Sequence, residues 1–512
     1  MSFYRIKTLI EEGDTLIDKE EKNDEMLEEA RVVTDNATIA ITDEEKAQEL
    51  EDARRLKRIK IITPIRGVLE GSSTTYEGSY LNYFLTDIYQ LPVAFTGALS
   101  IVSLLLSWFF APIFAAFTDK FNFKKSKFWP WPMIGGTITH LGYIAVMALP
   151  AIFSGNVSML GPVAFAIILV IRMSGQISSV PIAGMAPLIT KSTSDRQFLA
   201  QAQKIGHEAG KAIWGYLVPL CLAMMTTIAG GNRNEGFVLS AVVLHCIGWT
   251  GLATYALFAI KGSYVEREAM KQTVIQKQAR VPITQTLKVL FTNRPVLGMF
   301  LFFMLHKAYF FIYVMYGISV YDHIFNNPAA VGAFLTTISV AAIVGVFFGR
   351  MWTRIFKESK RSCVMAMVVH IIFTAIIAVT FNKIPMPLFL VFFAGSSFFM
   401  GMLETWVTPL FTACAEYGSW KTGVTMNALV MSTSALTITT GNALPPVIAT
   451  ILLRPDNYNQ GLTVLFAWVP LVLSIASVLC LIFIYNLNDT KIRRIQEDLM
   501  NGKTQATSDF KL

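Results

Sequence analysis

The sequence predicts an all-α, polytopic membrane protein whose twelve transmembrane helices form two six-helix bundles. Three observations carry this reading. Hydrophobic residues make up 53% of the 512-residue chain and charged residues only 15%, far from the balance of a soluble domain. Apolar windows of about twenty residues, enough to cross a hydrocarbon core of about 30 Å, recur from residue 61 almost to residue 487. A basic connection over residues 261–294 then separates six of these windows from the other six.

Residues 1–60 form an N-terminal extension, acidic from Glu11 to Glu29 and basic at "RRLKRIK", where anionic headgroups would attract it. The first bundle takes residues 61–260, with spans near 61–85, 95–117, 131–153, 163–187, 211–228 and 237–260. The second takes residues 295–487, with spans near 296–320, 329–352, 363–381, 387–411, 424–452 and 462–485, followed by a tail over 488–512. The first, fifth and eleventh spans are the least apolar. The short loops carry lysine and arginine unequally: Lys120, Lys124, Lys125, Lys127, Arg350, Arg354 and Lys357 fall on one side, and Arg233, Lys383 and Arg454 on the other. The positive-inside bias therefore predicts that both termini are cytoplasmic. It also absorbs most of the net charge of +8, so no nucleic-acid partner is implied.

A charge inside a spanning helix costs roughly 2.5–3.5 kcal/mol and needs a partner or a wet cavity. In the first span Arg66, Glu70, Ser73, Glu77 and Tyr80 follow steps of four and three and share one helical face. Arg66 and Glu70 can pair, which leaves Glu77 for water, solute or another helix. Arg172, Gln176 and Ser179 make a similar stripe in the fourth span, and Lys204, Glu208 and Lys211 open the fifth. The second half places His306 and Lys307 in span seven, and Glu404 with Trp406 in span ten. An acid beside an indole suits a hydroxyl-rich or cationic solute.

The five cysteines show no metal-ligand spacing and read as packing residues. No zinc-binding His-Glu-x-x-His, nucleophile elbow or phosphate-binding glycine loop is present. The sequence thus points away from an enzyme and from an ATP-driven pump, with no cofactor or metal expected.

Internal repetition follows the second and eighth spans. "AAFTDKFNFKKSK" (residues 115–127) and "GRMWTRIFKESKR" (residues 349–361) each put a small residue four positions ahead of a polar one, Asp119 and Thr353, and then basic residues. The pattern resembles the major facilitator superfamily. Within it, "AEYGSWKTG" (residues 415–423), "YFLTD" (83–87) and "SKFWPW" (126–131) are similar to segments of the glycoside-pentoside-hexuronide cation symporters, the family of the melibiose carrier.

The resemblance implies alternating access around a midplane sugar site with sodium, lithium or a proton co-transported. It also brings a departure. The family's cation-site aspartates fall on Ser107, Ala111 and Ser179, so sodium coupling is not expected, whereas proton coupling through a glutamate stays open. The family's sugar-site acid falls beside Glu70, its span-five arginine on Lys204 and its span-ten tryptophan near Glu404.

The expected activity is secondary active transport of a sugar or glycoside-type small solute by a monomeric carrier in the cell (plasma) membrane, in contact with membrane lipid. Glu70, Glu77, Arg172, Lys204, Glu404 and Trp406 are the expected substrate-binding residues. Asp119, Ser107, Ser179, Glu416 and Lys421 are the expected coupling or gating residues, with Glu416 and Lys421 at the cytoplasmic gate. The alternatives are a carrier of a non-sugar solute or lysophospholipid-like amphiphile, which would need a lateral apolar opening, and a non-transporting sensor acting through the acidic extension.

Overall fold

The computed structural model describes residues 24–120, 123, 128–153, 157–185, 193–261, 292–423 and 426–505. The chain divides into two compact units, Met1–Lys57 and Arg58–Leu512. Over its described residues the first is helical from Asp24, with an Arg55–Glu51 ion pair one turn apart. The second contains the helical bundle.

Helix α1 (Asp24–Tyr83) is followed by α2 (Val93–Lys120), α3 (Pro130–Ile152), α4 (Val157–Met185), α5 (Thr193–Ile228) and α6 (Arg233–Thr254). The second set is α7 (Arg294–His323), α8 (Val331–Phe356), α9 (Ser359–Thr380), α10 (Met386–Thr422), α11 (Asn427–Leu452) and α12 (Val469–Leu479). A short helix, Tyr458–Thr463, leads into α12, and a terminal amphipathic helix α13 (Asp489–Met500) closes the described chain. Among the described residues, eleven helices are long and apolar enough to cross a membrane. The apolar part of α1 is not among them, because Arg66, Glu70, Glu77 and a run of serines and threonines occupy it.

Local chemistry fixes the ends. Asn232 accepts from the Asn234 and Glu235 amides at the start of α6, Asn293 from Val296 at α7, and Asn488 from Lys491 at α13; these are side-chain N-caps. Helix α10 runs eleven residues past its expected end at residue 411, through the whole "AEYGSWKTG" stretch. No breaker intervenes until Gly423, whose φ of 71° and N–H bonded to the Ser419 carbonyl make a left-handed C-cap.

Each half packs internally, α3 on α4 and α8 on α10, and the halves meet where α2 lies along α11 and α5 along α8. One apolar cluster joins the halves around Tyr76, Phe237, Tyr313 and Phe334. A second fills the C-terminal bundle around Phe303, Trp406 and Trp420.

Between α1 and α5 the backbones almost touch. A Cβ placed on Gly210 would lie 2.6 Å from the Gly67 carbonyl oxygen, and one on Gly71 2.7 Å from the Gly210 carbonyl carbon. Two small-xxx-small stripes, Gly67/Gly71 and Gly206/Gly210, thus face one another, the usual device for close helix contact in a membrane. The approach sets the polar face of α1 against the polar start of α5.

Candidate functional site

The polar stripe of α1 serves two cavities. The first, of about 250 Å³, lies between the halves and is lined from α1 by Glu77 and Asn82, from α2 by Ser103 and Ser107, from α3 by Thr139 and Tyr143, from α4 by Arg172 and Gln176, and from α11 by Thr439 and Asn442. Among its described lining residues Glu77 is the one carboxylate and Arg172 the one cation; the remaining polar groups are neutral. Tyr143 stands beside Glu77. On the other side of Glu77 lies His245 of α6, whose Nδ1 is 3.8 Å from the carboxylate and 3.0 Å from Nδ1 of His140. Such a cavity can hydrogen-bond a small hydroxyl-rich solute along most of its wall, with one charge of each sign at hand.

The second cavity, of about 370 Å³, is lined by Thr63, Arg66, Gly67, Glu70, Gln203, Lys204 and His207. Arg66 donates to Glu70 over 2.8 Å, the pairing expected from their spacing, and its guanidinium lies 4.6 Å from the centre of the Tyr255 ring. Lys204 reaches across the halves to Glu404 at 3.4 Å. Glu404 also holds Lys307 in an ion pair and has His306 Nε2 at 3.6 Å. One carboxylate is therefore shared by two lysines, and Lys204, with 43% of its side chain exposed, is the looser partner. Lys211 pairs with Glu208 rather than with this group.

A third polar group closes the opposite end of the bundle. Tyr83 donates to Asp322 over 2.5 Å and accepts from Arg233, which lies 3.7 Å from Asp322; His323 pairs with Asp87. These contacts join α1 and α6 of the first half to α7 of the second. Arg233 and Asp87 stand in the sequence as a loop charge and a motif residue, with no periodicity to mark them as a cross-half contact.

The stripes therefore split: Glu77, Arg172 and Ser107 come together at the first cavity, and Glu70, Lys204 and Glu404 around the second. Ser107 lines that cavity while donating to the Ser103 carbonyl of its own helix. Other expected residues lie elsewhere: exposed Ser179 does not line the cavity that Arg172 and Gln176 line. Trp406, two residues from Glu404, points to the other side of α10: it is 2% exposed in the C-terminal core and donates to Thr353. That contact ties the repeated loop motif to the core, which explains the polar residue there. Glu416 accepts twice from Gln496 of α13, and Trp420 donates to Asp498. The described contacts of the motif thus dock the terminal helix, while Lys421 lies 5.8 Å from the Tyr417 ring. The Asp119 side chain lies outside the described residues. Sequence periodicity missed His140, His245 and Tyr143, which sit alone on their helices and gain meaning only by meeting Glu77.

Comparison with known proteins agrees with this architecture. Residues 71–489 match the family described as MFS/sugar transport protein. The chain is 22% identical to the isoprimeverose transporter of Lactiplantibacillus pentosus, over 79% of this chain and 84% of that one. It is also 22% identical to the inner membrane symporter YicJ of Escherichia coli K12, over 84% and 92% respectively. Among solved structures, the D-xylose-proton symporter superposes with a TM-score of 0.59 at 12% identity, covering 84% of this chain and 97% of that one. The nucleoside transporter NupG superposes at 0.55 with 18% identity, covering 85% and 99%; at such identities these two establish the fold alone. The all-helical architecture with eleven candidate spans among the described residues, the polar cavity between its halves and a family match over most of the chain lead to one conclusion: this chain belongs to the MFS/sugar transport protein family and is a multi-pass secondary transporter of the glycoside-pentoside-hexuronide cation symporter type.

Proposed function

We propose that the protein carries a sugar or glycoside across the cell membrane together with a proton, as a monomer embedded in lipid, with both termini cytoplasmic. In this reading residues 61–260 and 295–487 are the moving bundles, 261–294 is the cytoplasmic connection, and 1–60 and 488–512 are cytoplasmic extensions. The observation that carries the proposal is the wall of the first cavity. Serine, threonine, asparagine and glutamine side chains from both halves surround a single Glu77 and Arg172, a lining suited to hydroxyl groups and poorly suited to an acyl chain. Relatives named for isoprimeverose and raffinose support the solute class. Sodium has weak support, because the positions that would supply its carboxylates hold Ser107, Ala111 and Ser179 and a hard cation prefers charged oxygen ligands.

Solute enters the first cavity and meets Arg172, Glu77 and the Ser107 side. Its release to the cytoplasm passes the second cavity, where Lys204 exchanges Glu404 for solute oxygens and Glu70 keeps Arg66 neutralised. Trp406 is left out of this path, since its indole is spent on Thr353.

Uptake of radiolabelled isoprimeverose, raffinose and xylose into cells tests the reading. Glu70→Gln and Lys204→Ala should each lower initial uptake by about tenfold or more, about 1.4 kcal/mol of lost interaction. Unaltered uptake in both variants overturns the site assignment. Uptake of lysophospholipid in place of all three sugars overturns the solute class.

A further inference from the structure

Glu77 is surrounded on three sides by groups that can sense its charge. From α3 come His140 and Tyr143, from α4 Arg172, and from α6 His245; on α1 itself the flanking titratable groups are Tyr76 and Tyr80. His245 is fully buried, stacks on Tyr143 with ring centres 5.3 Å apart, and meets the edge of Tyr76. Its Nε2 has no hydrogen-bond partner among the described residues. Its Nδ1 faces His140 Nδ1 at 3.0 Å, and two ring nitrogens at that distance form a hydrogen bond only when one carries a proton and the other does not. With Nε2 unpartnered, the inexpensive arrangement puts the hydrogen on His245 Nδ1, pointing at once toward His140 and toward the Glu77 carboxylate 3.8 Å away.

We propose that Glu77, positioned by His245, His140 and Tyr143 beside Arg172, is the proton-binding site of this carrier and couples the proton to the solute. The inference rests on the proton-coupled reading above and assigns its site. Glu77 faces the cavity, so water in the cavity can deliver the proton: the carboxylate takes up H⁺ and becomes the neutral acid, with no other bond made or broken. In the ionised state Glu77 and Arg172 balance each other electrostatically, with the Tyr143 hydroxyl beside the carboxylate. Once Glu77 is protonated, Arg172 is left as the uncompensated cation of the cavity wall, free to donate to solute oxygens. Solute then binds the protonated carrier better, and by linkage bound solute holds the proton more tightly. His245 and His140 fix the carboxylate orientation, and their hydrogen bond determines how readily it accepts the proton.

The experiment uses the purified full-length protein in two arms. In the first the proton itself is the probe: a pH titration followed by difference infrared spectroscopy. The expected result is a protonated-carboxyl band that grows as pH falls, is lost in Glu77→Gln, and is displaced along the pH axis in His245→Gln and in His140→Gln. The second histidine variant protects the result should the buried position fold poorly. A band unchanged in Glu77→Gln, or unmoved in both histidine variants, overturns the site. The second arm measures accumulation of isoprimeverose, raffinose or xylose in proteoliposomes under an inward proton gradient. Wild type should accumulate at least one of them, and Glu77→Gln should lose the gradient-driven accumulation and the pH dependence of solute binding. If wild-type accumulation follows a sodium gradient or no gradient, the proton-coupled reading falls and takes the coupling role with it. If wild-type accumulation is proton-driven and survives in Glu77→Gln, that reading stands and this site falls.

Discussion

Glu404 balances more charge than any other acid described in the C-terminal half. It pairs with Lys307, approaches Lys204 at 3.4 Å and has His306 Nε2 at 3.6 Å. Lys307 has only 17% of its side chain exposed, so removing the carboxylate strands a largely buried ammonium. Breaking a buried pair from one side costs about 3–5 kcal/mol, whereas replacing both partners by apolar groups is often close to neutral. Glu404→Gln should therefore lower the thermal unfolding midpoint of the detergent-solubilised protein, and adding Lys307→Met should restore much of the loss. Transport should stay impaired in both, because Lys204 has lost its cross-half partner. A double variant no more stable than the single one would mean that the pair does not set stability. The sequence showed each of these residues as a polar interruption in an apolar span, which is why Glu404 and Lys307 could be singled out. It did not show that one acid serves two lysines, since their separations of 97 and 200 residues leave no periodic trace.

At the scale of elements, the placement of the second cavity depends on how close α1 and α5 come. Gly67 and Gly71 face Gly206 and Gly210, and a Cβ on Gly206 would lie 2.6 Å from Pro64 Cα. The approach also lets Trp214 of α5 donate to the Val68 carbonyl of α1 over 2.7 Å. Gly210→Ala has no flexible side chain to displace, because its Cβ meets backbone, so the helices must separate. Such overpacking costs about 1–3 kcal/mol. The substitution should lower thermal stability by that order and weaken uptake, since Lys204 and Arg66 are carried on the two helices that move apart. The check is unfolding and uptake measured together, with Gly161→Ala as control, whose Cβ would meet only the side-chain ends of Leu91 and Phe95 at 3.5 and 3.8 Å. Equal effects of the two substitutions would sink the argument. The spans themselves were legible from hydropathy, and the polar face of α1 from its steps of four and three. The continuation of α10 to Thr422 and the docking of α13 under it were not: "AEYGSWKTG" reads as a polar connection. Only the fold reveals that Glu416 and Trp420 find their partners on a terminal amphipathic helix.

For the whole molecule, alternating access requires that contacts between the halves at one end break while those at the other form. The structure holds contacts at two levels. At the end where α1 finishes and α6 begins, Tyr83, Arg233 and Asp322 join with the His323–Asp87 pair; at the level of the second cavity, Lys204 meets Glu404. The basic connection and the repeated loops mark two halves in the sequence. Which residues hold the halves together was not, because such contacts are made across the repeat and are designed to be temporary. Arg233 has 45% of its side chain exposed, so its ion pair alone contributes about 0–1 kcal/mol; Tyr83, buried and bonded to both partners, makes the group worth more than that pair. Removing Asp322 should shift the population toward the state open at that end by about 1–2 kcal/mol, a factor of roughly 5–30. Asn82, which lines the first cavity, reports the shift. With Asn82→Cys in a background lacking exposed Cys246, labelling by a membrane-impermeant maleimide from the side on which Tyr83 and Asp322 lie should accelerate several-fold on adding Asp322→Ala. It should slow or stay unchanged on adding Asp456→Ala, an exposed acid outside the contact group. Equal labelling with and without Asp322 would show that these residues do not hold the halves together, and that the closure of this end rests on the apolar cluster around Tyr76, Phe237 and Tyr313 instead.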